Sequence, residues 1–139
     1  MFRSLEENAC IVSKINLEKI ETFTGMQIDT LVFAGGASKG RLWCQILSDV
    51  TGCRVKIPKV TEATALGAAM SAGVGAGIYK TITEAADRLV TWESTYTPDM
   101  HHHALYRQIR QKWEKAYRAQ LQLVDDGITT SMWKAPGIL

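Results

Sequence analysis

The sequence lacks the marks of a membrane protein, a secreted protein or a polyanion binder. No apolar stretch approaches the ~20 residues that span a bilayer. The opening MFRSLEENAC has no charged-then-apolar leader. A net charge of +2 over 139 residues is too small to point to nucleic acid or an anionic membrane. Cysteine is sparse: Cys10, Cys44 and Cys53 form an odd set without a CxxC pair. They read as reduced thiols in or near a core rather than a disulfide framework or a metal site. A cytoplasmic location is the expectation. There is no internal repeat and no low-complexity segment. With 46% hydrophobic and 22% charged residues, the chain has the profile of an ordinary globular domain. Its length suits one domain, able to bury ~70% of the surface its unfolded chain exposes.

Elements emerge from periodicity. Ser4-Leu5-Glu6-Glu7 has the form of a capping box. Apolar residues spaced by three and four follow it, so a helix is expected to run to Gly25, a left-handed stop. Leu31 to Ala34 is a short continuous apolar run, which suits a strand buried on both faces in a parallel sheet. After GGASKG, Leu42, Ile46 and Val50 repeat every four residues with Trp43 and Leu47 beside them, predicting a helix closed by Gly52. Arg54 to Pro58 alternates and ends at a proline, which predicts a half-buried or edge strand.

From Thr61 to Gly73 the residues are nearly all small, predicting a helix that its neighbours approach closely, with Gly73 to Gly77 as its terminating turn. Thr83 is placed to cap a short helix through about Val90, and Thr91 to Asp99 reads as irregular. Asp99 then opens a long amphipathic helix that Gly127 ends. Leu105, Ile109, Trp113, Ala116, Leu121 and Val124 form its apolar side. The tail beyond Ile128 has no clear element, though Trp133 is buriable. The class is α/β, helix-rich with few strands. Two legible strands fall short of the usual five or six, so the chain reads as a piece of a larger sheet.

The stretch LVFAGGASKG, Leu31 to Gly40, carries the chemistry. Backbone amides after Gly35 and Gly36 can face a ligand because no side chain blocks them. The helix that follows offers its positive end to an anion. A tight strand-to-helix corner explains the same residues. GxGxxG is not met, since the middle glycine is absent, and a P-loop would need lysine and a hydroxyl where Arg41 and Leu42 stand. No acidic residue closes a second strand about 20 positions on, which argues against a dinucleotide oxidoreductase.

The ordered series Gly35-Gly36-Ala37, Trp43 with Gln45, Ser48-Asp49-Val50, Val55 to Pro58 and Glu62 to Ala69 resembles the C-terminal region of the FGGY carbohydrate kinases. The end, Leu123 to Gly137, is similar to the C-terminus of one member. The resemblance implies part of the second domain of an actin/hexokinase/Hsp70-like (ribonuclease H-like) ATPase fold, with a cleft closing between two domains. It implies that Gly35, Gly36 and Ala37 line adenine and ribose, with Ser38 and Gly40 at the pocket edge. Some relatives carry asparagine where Gly40 stands, so a side-chain contact to the base is not expected here. Glu62 and the ALGAA helix would be structural, near the domain interface.

The resemblance also implies what residues 1–139 do not contain. The phosphate loop, the general-base aspartate and most sugar contacts belong to an N-terminal kinase domain upstream, so no catalytic or metal-binding residue is expected in this chain. ATP and Mg2+ are expected for the full enzyme, which would phosphorylate a hydroxyl of a small, linear, sugar-like molecule, and the isolated chain is expected to be inactive. The competing expectation is a non-enzymatic truncated domain that self-associates or binds a protein partner, through an exposed apolar patch.

Other features have plainer readings. His101, His102 and His103 point about 100° apart on a helix, so they do not share one ion and read as solvated. The cations Arg107, Arg110, Lys112, Lys115 and Arg118 read as a solvated face or a contact to the missing domain, not an RNA site. The four tryptophans read as packing anchors.

Overall fold

A computed structural model of the chain describes residues 1–130. The chain forms two compact units, Met1–His103 and Ala104–Leu139.

The first unit opens with α1 (Phe2–Thr24), which Gly25 stops in the left-handed conformation at φ 71°. Its start differs from expectation. Met1 precedes the helix without a side-chain cap, and the Ser4 hydroxyl donates back to the Met1 carbonyl at 2.7 Å. Ser4 therefore lies inside the first turn, and Glu7 is drawn to Arg3 at 2.9 Å instead of closing a capping box. Strand β1 (Thr30–Val32), helix α2 (Arg41–Thr51) and strand β2 (Arg54–Pro58) form a β-α-β unit. The strands are parallel, with Leu31 opposite Val55. α1 packs along α2, and α2 lies on β2. Buried Cys10, Ile11, Cys44, Ile46, Leu47, Val50, Val55 and Ile57 make the core.

The described residues form three strands, in the order β1-β2-β3, where β3 is Trp92–Tyr96 within the stretch expected to be irregular. Its antiparallel pairing, Val55 with Tyr96 and Ile57 with Ser94, makes β2 the centre of the sheet, so of the two expectations, half-buried or edge, the first holds. Pro58 is tolerated there because it stands at the strand's end, where the register shifts. β3 is one edge of that sheet and β1 the other. Its apolar run is less covered than a two-faced strand demands: Leu31 is half-buried and Val32 is 62% exposed.

Helix α3 (Ala63–Gly75) packs with α4 (Ile82–Leu89). Close approach is real at Gly73, where an added Cβ would lie 2.8 Å from the Tyr79 ring. Elsewhere Ala63, Ala65, Ala68, Ala69 and Ala72 are exposed. Gly77, at φ 74°, completes the C-terminal turn, with Ile78 N–H donating to Gly73 O at 2.8 Å. α4 begins two residues earlier than expected. Thr81, not Thr83, is the cap, its hydroxyl accepting from Glu84 N–H at 3.1 Å.

The last helix, α5, runs Met100–Asp125. Asp99 caps it as expected, accepting from the amides of His101 (2.8 Å) and His102 (3.2 Å). These amides hold the Asp99 carboxyl below its ordinary value, that of His102 most strongly. In the second unit Trp113 stacks on Tyr117 at 5.1 Å. The expected stop at Gly127 is a left-handed residue, with Ile128 N–H reaching Leu123 O at 2.9 Å. Trp133 and the terminal run from Ser131 lie outside the described residues.

Candidate functional site

β1 and β2 run parallel, so the segments leaving their C-terminal ends emerge on the same side of the sheet. Ligands of open parallel sheets bind outside those ends. Here the two exits are tied together: Gly35 N–H donates to the Thr61 carbonyl at 2.9 Å. Thr61 stands just before α3. Gly35–Gly40 thus forms a turn braced against a second connection 26 positions further on in sequence, and no local pattern marks Thr61 as its partner.

Within the turn, Gly35 has φ 88° and ψ −173°, a backbone region essentially restricted to glycine. A single 3-10 turn, Gly36–Lys39, follows and leads through Gly40 into α2. A Cβ added at Gly35 or Gly36 would meet nothing within 4 Å. The outer surface of the turn is therefore open, and as the first residues of a helical turn Gly36 and Ala37 have amides with no partner in that turn. Exposed Lys39 and Arg41 set positive charge beside it. At Gly40 a Cβ would touch Ala37 O at 3.4 Å and Trp43 Cβ at 3.5 Å. Trp43 is packed edge-on to Phe33, centroids 6.2 Å apart, beneath the turn.

Ser38 behaves differently from its neighbours. It is 6% exposed. Its hydroxyl donates inward to the Gly35 carbonyl at 2.7 Å. Its own carbonyl accepts from the Cys44 thiol at 3.2 Å. Gly35, Gly36, Ala37 and Gly40 are thus gathered on one turn, while the Ser38 side chain faces the interior.

The three cysteines are free and buried, as expected. Burial pushes the Cys10 thiol up to about 12 and raises those of Cys44 and Cys53.

A second polar cluster lies at the other end of α2. Asp49 is 3% exposed. Its Oδ1 accepts from Gln45 Nε2 at 2.7 Å and Asp99 N–H at 2.8 Å, and its Oδ2 lies 3.2 Å from His102 Nδ1. His103 Nδ1 reaches the Asp49 carbonyl at 2.8 Å. His102 and His103 are therefore hydrogen-bonded anchors of the α5 start rather than free solvated side chains. Ser48 adds a bond to the Cys53 carbonyl at 2.8 Å. This constellation ties helix to loop. Among the described residues no group of three or more His, Cys, Asp or Glu side chains could hold a metal ion, and no helix is long and apolar enough to cross a membrane.

Comparison with known proteins adds the remaining findings. Residues 1–76 match the FGGY family of carbohydrate kinases, C-terminal domain. The chain is 58% identical over 138 residues to autoinducer-2 kinase of Escherichia coli K12, an alignment covering 99% of this chain and 26% of that protein. It therefore spans about a quarter of the length of the curated relatives it matches. Among solved structures, a xylulose kinase from Brucella ovis aligns with a TM-score of 0.73 at 20% identity, covering 85% of this chain and 24% of that one. Plasmodium falciparum glycerol kinase with ADP aligns with a TM-score of 0.69 at 22% identity, covering 84% and 23%. The fold is that of these sugar kinases, part of the actin/hexokinase-like architecture.

Proposed function

The chain belongs to the FGGY family of carbohydrate kinases, and on that footing we propose that it is the nucleotide-binding part of the second domain of an ATP-dependent kinase. The observation that carries this reading is the open turn at Gly35–Gly36, braced to Thr61 at the C-terminal ends of two parallel strands. In the proposal Gly35, Gly36 and Ala37 lie against adenine and ribose, and Gly40 forms the edge of the pocket. Ser38 contributes from beneath.

The turn suits a nucleotide on its own chemistry. Its outer surface has no side chain for two residues, so a flat base and a sugar can reach the backbone. Lys39 and Arg41 favour an anion nearby. The nucleotide would supply the transferable γ-phosphoryl group. This chain's residues would bind and orient it, which is most of what phosphoryl transfer asks of a protein. The donor set for magnesium is proposed to lie outside this chain. The ion, the general base and the sugar contacts are assigned to an N-terminal kinase domain, and the chain alone is proposed to be inactive.

The acceptor proposed for the whole kinase is a hydroxyl of the linear, sugar-like signal autoinducer-2, a dihydroxypentanedione. Its phosphorylation would belong to quorum-sensing signal processing in the cytoplasm. The 58% identity to autoinducer-2 kinase supports this choice over other sugars.

A second reading is a non-enzymatic domain that self-associates or binds a protein partner. It is favoured by an apolar groove of about 290 Å³ beside the edge strand, lined by Leu17, Ile20, Leu31, Val32, Phe33 and Trp43. Calorimetric titration with ATP and with ADP, beside Gly36→Val, separates the two. Heat that the variant abolishes supports the nucleotide turn. No heat, with a dimer in sedimentation, supports association.

A further inference from the structure

We infer that Ser38 is a positioning residue for the nucleotide turn: its buried hydroxyl fixes the Gly35–Gly36 peptide so that the Gly36 N–H faces the ligand. The inference rests on the nucleotide reading above and adds the group that sets the turn's hydrogen-bonding direction.

The geometry runs through one peptide plane. The Gly35 carbonyl receives two donors from Ser38, the hydroxyl at 2.7 Å and the amide at 3.2 Å. Both lie on the inner side of the turn, because Ser38 is 6% exposed. Among the described residues no peptide bond is cis. In a trans peptide the carbonyl and the following N–H point in opposite directions. With the Gly35 carbonyl held inward, the Gly36 N–H is turned outward, to the side where an added Cβ meets nothing within 4 Å. Among the described residues no hydrogen bond takes that N–H.

Two further contacts hold the turn, one at Ser38 and one at Gly35. Its carbonyl accepts from the Cys44 thiol, which is fully buried, at 3.2 Å. The Gly35 amide, on the other side of the same residue, is held by Thr61 at 2.9 Å. Gly35 has a conformation open to it only as glycine, and glycine flanked by glycine has the freest of backbones. Without the hydroxyl, one weaker amide contact remains on the Gly35 carbonyl, and the peptide is free to rotate its N–H away. The hydroxyl is already spent on the inner carbonyl, so Ser38 acts through Gly36 and does not touch the nucleotide.

The test is calorimetric titration of the full chain with ADP for the wild type, Ser38→Ala, Ser38→Thr and Thr51→Val. The last removes a buried hydroxyl bond of 2.6 Å to Leu47 O at the C-terminal end of α2, as a control for lost stability. The expected result is about tenfold weaker ADP binding for Ser38→Ala, the factor one hydrogen bond of ordinary net worth carries. Ser38→Thr keeps the hydroxyl and restores affinity, and Thr51→Val binds as the wild type does despite its lower melting temperature. Ser38→Cys, a weak donor of similar size, gives the same reading should the alanine variant fail to fold. Equal affinity in wild type and Ser38→Ala overturns the inference and leaves the nucleotide turn standing. An equal loss in Thr51→Val overturns it too, since stability alone then explains the effect. No ADP binding by the wild type brings down the nucleotide reading of this chain and the inference with it.

Discussion

Gly35 and Gly36 are adjacent, identical in chemistry and open to solvent on the side where a Cβ would project. They should respond to alanine in opposite ways. At Gly35 the backbone has φ 88° and ψ −173°. An L residue there costs about 1–3 kcal/mol in backbone strain. No contact term offsets or adds to it, because the new methyl would meet nothing within 4 Å. At Gly36 the same methyl also meets nothing, and φ is outside the positive range. Gly36→Ala should therefore be neutral, or stabilising by about 0.4–1 kcal/mol through the less flexible unfolded chain.

The two variants should thus differ by about 1.5–4 kcal/mol. For a chain of this size that corresponds to several degrees in melting temperature. Guanidinium unfolding followed by far-UV circular dichroism measures the difference. The slope with denaturant should be the same in both variants, since neither changes the surface exposed on unfolding. Equal stability of Gly35→Ala and Gly36→Ala would refute the reasoning, because the turn would then not require a left-handed residue at Gly35.

Three more outcomes are expected. The Asp99 carboxyl is held low by the amides at the start of α5, so its contribution is complete above the unfolded value of about 3.9 and is lost as pH falls through the lower folded value. Urea titrations of wild type and Asp99→Asn from pH 6 to pH 2 (about one unit apart) should show the gap between them changing only at the acid end, and a constant gap contradicts the cap. Asp49→Ala leaves the Asp99 amide without its acceptor and removes one of the two acceptors of Gln45 Nε2, the other being the Thr97 carbonyl. It should cost about 2–4 kcal/mol by chemical denaturation, with Asp49→Asn costing less, and a loss under about 0.5 kcal/mol would show that the cluster is not buried as described. Because burial raises all three thiols, iodoacetamide at pH ~8 should label the native chain far more slowly than the chain in denaturant, and mass spectra showing equal rates would contradict a folded core around Cys10, Cys44 and Cys53.

Local chemistry explains what was legible. α1, α2 and α5 each present apolar spacing of three and four over many residues, and Gly25, Gly52 and Gly127 end them because only glycine enters the left-handed region cheaply. Asp99 was readable as a cap because a carboxylate next to free amides needs no distant partner. The glycine turn was readable as an unblocked stretch of backbone between a strand and a helix. At the start of α4 the sequence points to Thr83 as the cap, and the bond to Glu84 N–H places it at Thr81 instead.

The rest depended on partners far apart in the chain. Trp92 to Tyr96, with three polar residues between its aromatics, reads as irregular, and it became β3 only through its ladder to Val55 and Ile57. That pairing in turn made β2 central. Asp49 reads as an ordinary polar residue near a helix end until Asp99 and His102, about 50 positions on, are brought to it. The inward bond of Ser38 and the brace from Gly35 to Thr61 follow from how two strand ends meet. The sequence by itself determined the helices, their stops, the parallel β-α-β unit and the family. Tertiary structure alone decided which strand is central, which carboxylate is buried and which way each group of the turn faces. The reason is physical: periodicity and capping are satisfied within a few residues, whereas burial and hydrogen-bond direction depend on neighbours that only the fold supplies.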